Sequence, residues 1–230
     1  STRVGTPREG ASSAAAWGTT CTNRDPDNDP STINYAPLYD LDGNCVIDVG
    51  DIMTVATAWR WVCGQPPPTA VSSMAPPTSS AKLQLEPYTA EAAPGESFTI
   101  AVRIADATNL GAFQWTLHLE PAVVQVEDVA LGNFLGSTGR NTAPLGPEID
   151  NAAGTVTLGG FTFGSRPGPG GDGVLATIIL TAQGTGSSRL TLEDVQILDA
   201  QGRAQAVTVQ GGRVIVGVSE RTYLPLLRQH

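Results

Sequence analysis

The chain has 230 residues and a net charge of −9, from 22 Asp and Glu against 13 Lys and Arg, which is the wrong sign for a nucleic-acid-binding protein. Abundant Gly and Pro with few charged residues are typical of a β-rich secreted protein, and this length holds one large or two modest domains. No apolar run reaches the length of a membrane span, and the start at Ser1 leads us to expect an exported protein with its signal peptide removed.

The first element along the chain is an acidic segment, Asp25–Asp29, whose three carboxylates are spaced like the first ligands of a calcium-binding loop. The spacing is then lost, because positions 6, 9 and 12 of the same register hold Pro30, Ile33 and Ala36. We interpret this segment as a degenerate loop, and the sequence leaves open whether it binds Ca²⁺.

A complete loop pattern follows at Asp40–Asp51. Calcium loops of this type offer oxygen atoms at positions 1, 3, 5, 7, 9 and 12. Side-chain oxygens at five of these positions and a backbone carbonyl at position 7 predict a set of calcium ligands, namely Asp40, Asp42, Asn44, Val46, Asp48 and Asp51. The carboxylates repel one another, so the loop is hard to close without a cation. The alternative interpretation is a solvated acidic turn without metal.

Two residues depart from the usual loop pattern: Cys45 replaces the glycine of position 6, and Asp51 replaces the glutamate of position 12. Apolar Ile47 at position 8 predicts a short strand that anchors the loop on a core. A helix is predicted to follow, with one apolar face formed by Ile52, Val55, Ala56, Trp59 and Val62.

The run Tyr39–Ala56 resembles the calcium loop and following helix of a dockerin, which the glycine at position 4, Gly43, also fits. The resemblance implies Ca²⁺ as the cofactor. It also implies that partner specificity is read at loop positions 10 and 11, here Val49 and Gly50, whose lack of hydroxyl groups predicts an apolar contact. Dockerins normally carry two such loops, so the degenerate segment upstream is interpreted as the other half.

All three cysteines, Cys21, Cys45 and Cys63, lie in a predicted N-terminal module of residues 1–64. In an exported protein they predict one disulfide that stabilises a module with little core of its own. The sequence leaves open which pair forms, and whether the third thiol is free or bonds to another chain. Residues 65–81 are rich in Pro, Ser and Thr and predict an extended linker.

Residues 82–218 have the pattern of a β-sandwich. Alternating or continuously apolar runs predict strands at 97–104, 113–119, 154–158, 174–180 and 213–216. Clusters of turn-forming residues separate them, notably at 136–146 and 167–173. We predict a mostly β fold, an antiparallel jelly-roll sandwich of about eight or nine strands.

Four segments in this region resemble strands of cohesins in order and spacing: 93–102, 110–124, 170–180 and 211–216. The resemblance implies the cohesin sandwich fold and a dockerin as partner. It further implies that the partner docks on a sheet face that includes the third of the family's strands. Alternation along 113–119 points three residues outward on that face, so we predict as part of the docking surface Gln114, Thr116 and His118. An ordinary solvated sheet face is the alternative.

The last twelve residues, 219–230, form a short apolar tail. We expect it to add as a strand to a neighbouring subunit or to retain the protein at the cell surface, and therefore count Tyr223, Leu224 and Leu226 as partner-binding residues. Packing on its own domain is the alternative.

Catalysis has little support, because the chain has two histidines, His118 and His230, and no nucleophile elbow, zinc-protease or phosphate-loop motif. A sugar-binding platform needs exposed coplanar aromatic rings, and the sandwich offers only Trp115, predicted to be core, and Tyr88.

We therefore predict an extracellular structural protein that assembles head to tail through calcium-dependent contacts between its dockerin-like and cohesin-like parts. Self-capping within one chain competes with such assembly. The alternatives are a surface scaffold or adhesion unit with a different dockerin- or cohesin-bearing partner, and a carbohydrate-binding module.

Overall fold

The computed structural model describes residues 40–41, 43, 45–58 and 80–217. Within these residues one α-helix precedes eleven β-strands. In chain order they are α1 (Val49–Ala58), β1 (Ala81–Glu86), β2 (Thr89–Ala92), β3 (Ser97–Ala107), β4 (Leu110–His118), β5 (Val124–Leu131), β6 (Asn141–Asp150), β7 (Thr155–Phe163), β8 (Gly171–Ala182), β9 (Gly186–Asp199), β10 (Val207–Gln210) and β11 (Gly212–Val216). No helix in this part of the chain is long and apolar enough to cross a membrane.

The strands form two sheets, ordered β10-β1-β3-β8-β5 and β2-β11-β9-β4-β7-β6. This confirms the predicted mostly β sandwich. Within this mainly antiparallel arrangement, two pairings among the described strands are parallel, β1 with β10 and β2 with β11.

Two runs of chain cross from one sheet to the other, which is why there are eleven strands rather than eight or nine. Only Pro87 and Tyr88 separate β1 from β2, although these strands lie in different sheets. Proline lacks the N–H that a continuous ladder needs, so the first strand breaks there. The second crossing is equally short: Gly211 alone separates β10 from β11, which also lie in different sheets.

The main core lies between the two sheets. Along β4 the inward side chains Phe113, Trp115 and Leu117 are fully buried, as the alternation predicts. The burial of Trp115 removes it from any exposed aromatic platform. The outward residues of β4 therefore belong to the opposite face of the six-stranded sheet, where α1 lies.

Strand β6 corrects the prediction of a turn-rich segment at 136–146, because it begins at Asn141 and includes Pro144, Gly146 and Pro147. Among the described strands β6 lies at an edge of its sheet and pairs only with β7, with an irregularity between Leu145 and Glu148. At an edge a proline does not interrupt a ladder on both sides, so a Gly- and Pro-rich segment still forms a strand there.

Arg140 holds the chain at the start of this edge strand. Its guanidinium is buried and donates hydrogen bonds to the hydroxyl and carbonyl oxygens of Thr162, to the carbonyl of Gly164 (2.8 Å), and to the carbonyl of Arg166. Burial lowers the pKa of Arg140 below its ordinary value. A planar fork of donors thus ties the β6 edge to the end of β7.

Candidate interaction site on the six-stranded sheet

Helix α1 begins with a reciprocal cap. The Asp48 carboxylate accepts a hydrogen bond from the backbone N–H of Gly50 (2.7 Å), while the Asp51 carboxylate accepts one from the backbone N–H of Asp48 (2.8 Å). This is a capping box, in which two N–H groups that the first turn leaves unpaired are satisfied by side chains. The second oxygen of Asp51 accepts from the N–H of Leu41 (2.6 Å), so the start of the loop is tied to the start of the helix.

The loop before the helix closes around Asp40. One oxygen of its carboxylate accepts from the N–H of Gly43 (2.8 Å) and the other from the N–H of Cys45 (3.0 Å). Both Gly43 and Cys45 lie in the left-handed region, with φ of 73° and 70°. That conformation explains why glycine is usual at position 6, and a cysteine there carries backbone strain. Ile47 at position 8 is buried.

Cys45 is disulfide-bonded. The two other cysteines of the chain, Cys21 and Cys63, lie outside the described residues, and the pairing stays a prediction. The same holds for Asp42, Asn44, Tyr223, Leu224 and Leu226, which also lie outside them.

Three described carboxylates, Asp40, Asp48 and Asp51, and the carbonyl of Val46 supply the oxygen donors that Ca²⁺ prefers. Burial raises the pKa of Asp48, and the charges of Asp51 and Asp40 act in the same direction, against hydrogen bonds from Gln196 and Gly50 that lower it. A cation would relieve this crowding of negative charge. The described part of the chain nonetheless contains no group of three or more acidic, His or Cys side chains arranged to hold a metal. The donor chemistry fits Ca²⁺, and Asp42 and Asn44 of the predicted ligand set lie outside the described residues.

Helix α1 packs on the outer face of the six-stranded sheet. Val49 and Met53 are buried together with Ala112 of β4 and Leu198 of β9. Three partly buried residues complete this contact: Ala56 of the helix, Leu145 of β6 and Phe161 of β7. We call this set of seven residues the helix seat.

The predicted apolar face of the helix is therefore partly wrong. Ala56 contacts the sheet, but Val55 is exposed and Ile52 is only half-buried, while Trp59 and Val62 lie outside the described residues. The stripe that faces the sheet is Val49, Met53 and Ala56, which has helical spacing too. Both stripes are apolar, so only the packing of the helix against the sheet determines which of them is buried.

Two glutamine side chains connect the start of the helix to the sheet. Oε1 of Gln114 accepts a hydrogen bond from the backbone N–H of Val49 (3.2 Å), and Nε2 of Gln196 donates one to the Asp48 carboxylate (2.5 Å). Gln114 and Gln196 are paired neighbours on β4 and β9. The structure thus brings together Val49 and Gln114, two residues that the sequence singled out on separate grounds, and leaves Gly50 half-buried beside them.

The other two outward residues of β4 lie beyond the helix. Thr116 shares a hydrogen bond of 3.1 Å with Thr157 of β7, and Nε2 of His118 lies 3.5 Å from the carboxylate of Glu193 on β9. With Thr155 beside His118, these residues form a partly exposed region that we call the polar strip: Thr116, His118, Thr155, Thr157 and Glu193. Within the described part of the chain, α1 therefore covers an apolar region of the outer face and leaves the neighbouring polar strip partly exposed.

Sequence reasoning missed Met53, Ala112, Gln196 and Leu198. Met53 lies four residues after Val49, and that spacing was a usable signal. Ala112 continues the outward alternation of β4 by one step. Nothing in the sequence marked Gln196 or Leu198, because β9 has an irregularity opposite Gln114 and Thr116 that shifts which residues point outward.

Several solved structures resemble this fold. A type I cohesin–dockerin complex from Clostridium thermocellum, Coh-OlpC-Doc435, has a TM-score of 0.52 and 14% identity over 63% of this chain and 97% of that chain. The type II cohesin dyad from the adaptor scaffoldin ScaA of Acetivibrio cellulolyticus has a TM-score of 0.50 and 18% identity over 62% of this chain and 50% of that chain. The CaCohA2 cohesin of Clostridium acetobutylicum, solved in complex with CaDoc0917, has a TM-score of 0.50 and 18% identity over 60% and 100%.

At these identities the likeness is one of fold. No curated protein matches the chain. The family model of the cohesin domain matches residues 83–215, more than half of the chain, and the protein therefore belongs to the cohesin family.

Proposed function

We propose that this chain is an extracellular structural protein that links copies of itself, the cohesin sheet of one copy binding the calcium-loop helix of another. The observation that carries this proposal is the position of α1 on the outer face of the six-stranded sheet. The helix supplies a dockerin-like element and the sheet belongs to a cohesin domain, so one chain holds both halves of a possible contact.

The contact has the composition of a binding interface. Its centre is apolar, since Val49, Met53 and Ala112 are each at most 1% exposed. Fully burying a Val or Met side chain contributes about 1.5–3 kcal/mol relative to exposure. The hydrogen bonds to Gln114 and Gln196 then set the position of the helix start, because a polar group left unpaired there carries a desolvation penalty.

A helix of another copy can make the same contacts. The two halves are different surfaces, so their interface is heterologous and joins copies in an open series unless the geometry closes. Residues 59–80 connect α1 to β1 and span at most about 75 Å when extended, at about 3.4 Å per residue. A connection of that length allows α1 to contact the six-stranded sheet of its own chain or that of another copy.

Ca²⁺ is the proposed cofactor, held by the loop Asp40–Asp51. The loop positions Asp48 and the helix start, and these are the groups that meet the two glutamines. Binding of a cation to the folded loop stabilises it over its open form. The proposed contact is therefore expected to weaken when a chelator removes the ion.

A different dockerin-bearing partner is the second candidate. It is supported by the solved cohesins of similar fold from Clostridium thermocellum and Clostridium acetobutylicum, which are described as complexes with dockerins. The same sheet face would then bind a helix from another protein.

Two complementary variants test the proposal. Met53→Asp places a charge in the helix seat and disables the helix, while Ala112→Arg obstructs the sheet and leaves the helix intact. A mixture of the two is expected to form a 1:1 complex in millimolar Ca²⁺, measured by size-exclusion chromatography with light scattering, and to dissociate in EDTA. Neither variant alone should associate.

Thr155→Arg is the matched control for Ala112→Arg, because it puts the same side chain on the same sheet but within the polar strip. Circular dichroism and thermal unfolding establish that each variant is folded. Absence of a complex between folded variants would contradict self-linkage and leave the heterotypic partner.

A further inference from the structure

We infer that the helix of each chain caps the cohesin sheet of that same chain, so that an isolated copy is closed and must release α1 before its sheet accepts a helix from another copy. This inference rests on the proposed function and concerns the regulation of the same site.

The occupied seat leaves no room for a second helix. Ala112 is fully buried, and Gln114 is 6% exposed beneath the helix start. Oε1 of Gln114 and Nε2 of Gln196 are already paired with Val49 and Asp48 of the same chain. An incoming helix that needs these groups must displace the resident one.

Covalent connection favours the resident helix. A tether whose reach matches the separation of the two groups gives them an effective concentration of about millimolar. At micromolar protein a helix from another copy is therefore outcompeted, although its contacts are the same. Chains with a free sheet are then a minor population. The apparent dissociation constant for binding between two copies equals the intrinsic one divided by that fraction.

The test uses Ala112→Arg chains as the probe, because their helix is intact and their sheet cannot accept one. Three full-length chains are immobilised in millimolar Ca²⁺: wild type, Met53→Asp with its sheet open, and Val55→Asp as a matched control. Val55 lies on the same helix but is 48% exposed, so its substitution leaves the seat intact.

The Met53→Asp chain is expected to capture the probe at least about 30-fold more tightly than wild type or Val55→Asp. Equal capture by all three chains would overturn the cap and leave self-linkage standing. Capture by none would overturn self-linkage itself, so the two failures are distinguishable.

Hydrogen exchange tests the cap without any second copy. Amides of residues 49–58 should exchange at least about tenfold faster in Ala112→Arg than in wild type and Thr155→Arg at micromolar concentration. Equal exchange in all three chains would overturn the cap whatever the capture experiment shows.

Discussion

The backbone N–H of Val49 and Oε1 of Gln114 are joined by a 3.2 Å hydrogen bond that spans 65 residues of sequence. Val49 opens helix α1, whose first turn would otherwise leave this donor unpaired. Gln114 occupies a strand of the cohesin sheet, and its amide is buried by the helix that it holds. Helix α1 and the cohesin sheet thus meet at a pair of groups that each lack another described partner.

The first prediction concerns this pair. Gln114→Met keeps the size of the side chain but removes the acceptor, which leaves the Val49 N–H buried and unpaired. Such a loss costs about 1–3 kcal/mol, so amides of α1 should exchange roughly 5- to 160-fold faster. Hydrogen exchange with mass spectrometry measures this, with Thr116→Val as the control outside the helix seat. An equal effect of the control would show that the strand, not the hydrogen bond, holds the helix.

The second prediction concerns calcium. Asp40→Asn removes a charge and one of the two oxygens that accept from Gly43 and Cys45, so the calcium concentration at half-saturation should rise at least about tenfold. Titration calorimetry measures it. Asp128→Asn, an exposed site on β5, is the control and should bind like wild type. A wild-type chain that binds no Ca²⁺ would refute the proposed cofactor.

The third prediction concerns close packing at the start of β4. A Cβ at Gly111 would lie 2.6 Å from Cα of Ala200 and also meets the carbonyl of Asp199. Both contacts are with backbone atoms, which cannot rotate away. Gly111→Ala must therefore push the end of β9 away from β4, which lowers the free energy of unfolding by about 1–3 kcal/mol. Urea denaturation measures it. Gly217→Ala, whose added Cβ meets no described atom within 4 Å, should unfold like wild type.

The fourth prediction concerns the buried guanidinium at the β6 edge. Arg140→Lys keeps the charge but cannot reach the acceptors on Thr162, Gly164 and Arg166 together, because an ammonium lacks the planar fork. Losing charged hydrogen bonds of this kind costs about 1.5–3 kcal/mol each, and we expect a loss of about 2 kcal/mol after relaxation. Arg166→Lys, at an exposed position with one such bond, is the control. Thermal denaturation measures the loss. An equal fall in melting temperature for the two variants would contradict the role of Arg140.

Several elements were predictable because their signal is local. The period-2 alternation of β4 identifies Phe113, Trp115 and Leu117 as core residues, since a side chain on a strand has only two faces to choose from. The same reasoning fails at β6, where Pro144 and Pro147 are typical of a loop. The edge position that tolerates them is a property of the whole sheet.

The helix shows the limit of local reasoning. Its sequence contains two overlapping apolar stripes: Val55 of the predicted one is exposed, while Val49 and Met53 of the other are buried. No periodicity distinguishes them, because burial depends on which side meets the sheet. The capping residues Asp48 and Asp51, by contrast, are recognisable from their spacing alone.

By itself the sequence determined the sandwich, the places of the five strands β3, β4, β7, β8 and β11, the calcium-loop pattern and the kinship of residues 83–215 with cohesins. These follow from short-range spacing, which repeats at the periods of strand and helix. Only the tertiary structure decided that α1 lies on β4, β7 and β9, with Gln196 and Leu198 completing the contact. That arrangement joins segments about 60 to 150 residues apart through shape and hydrogen-bond complementarity, which no local pattern encodes.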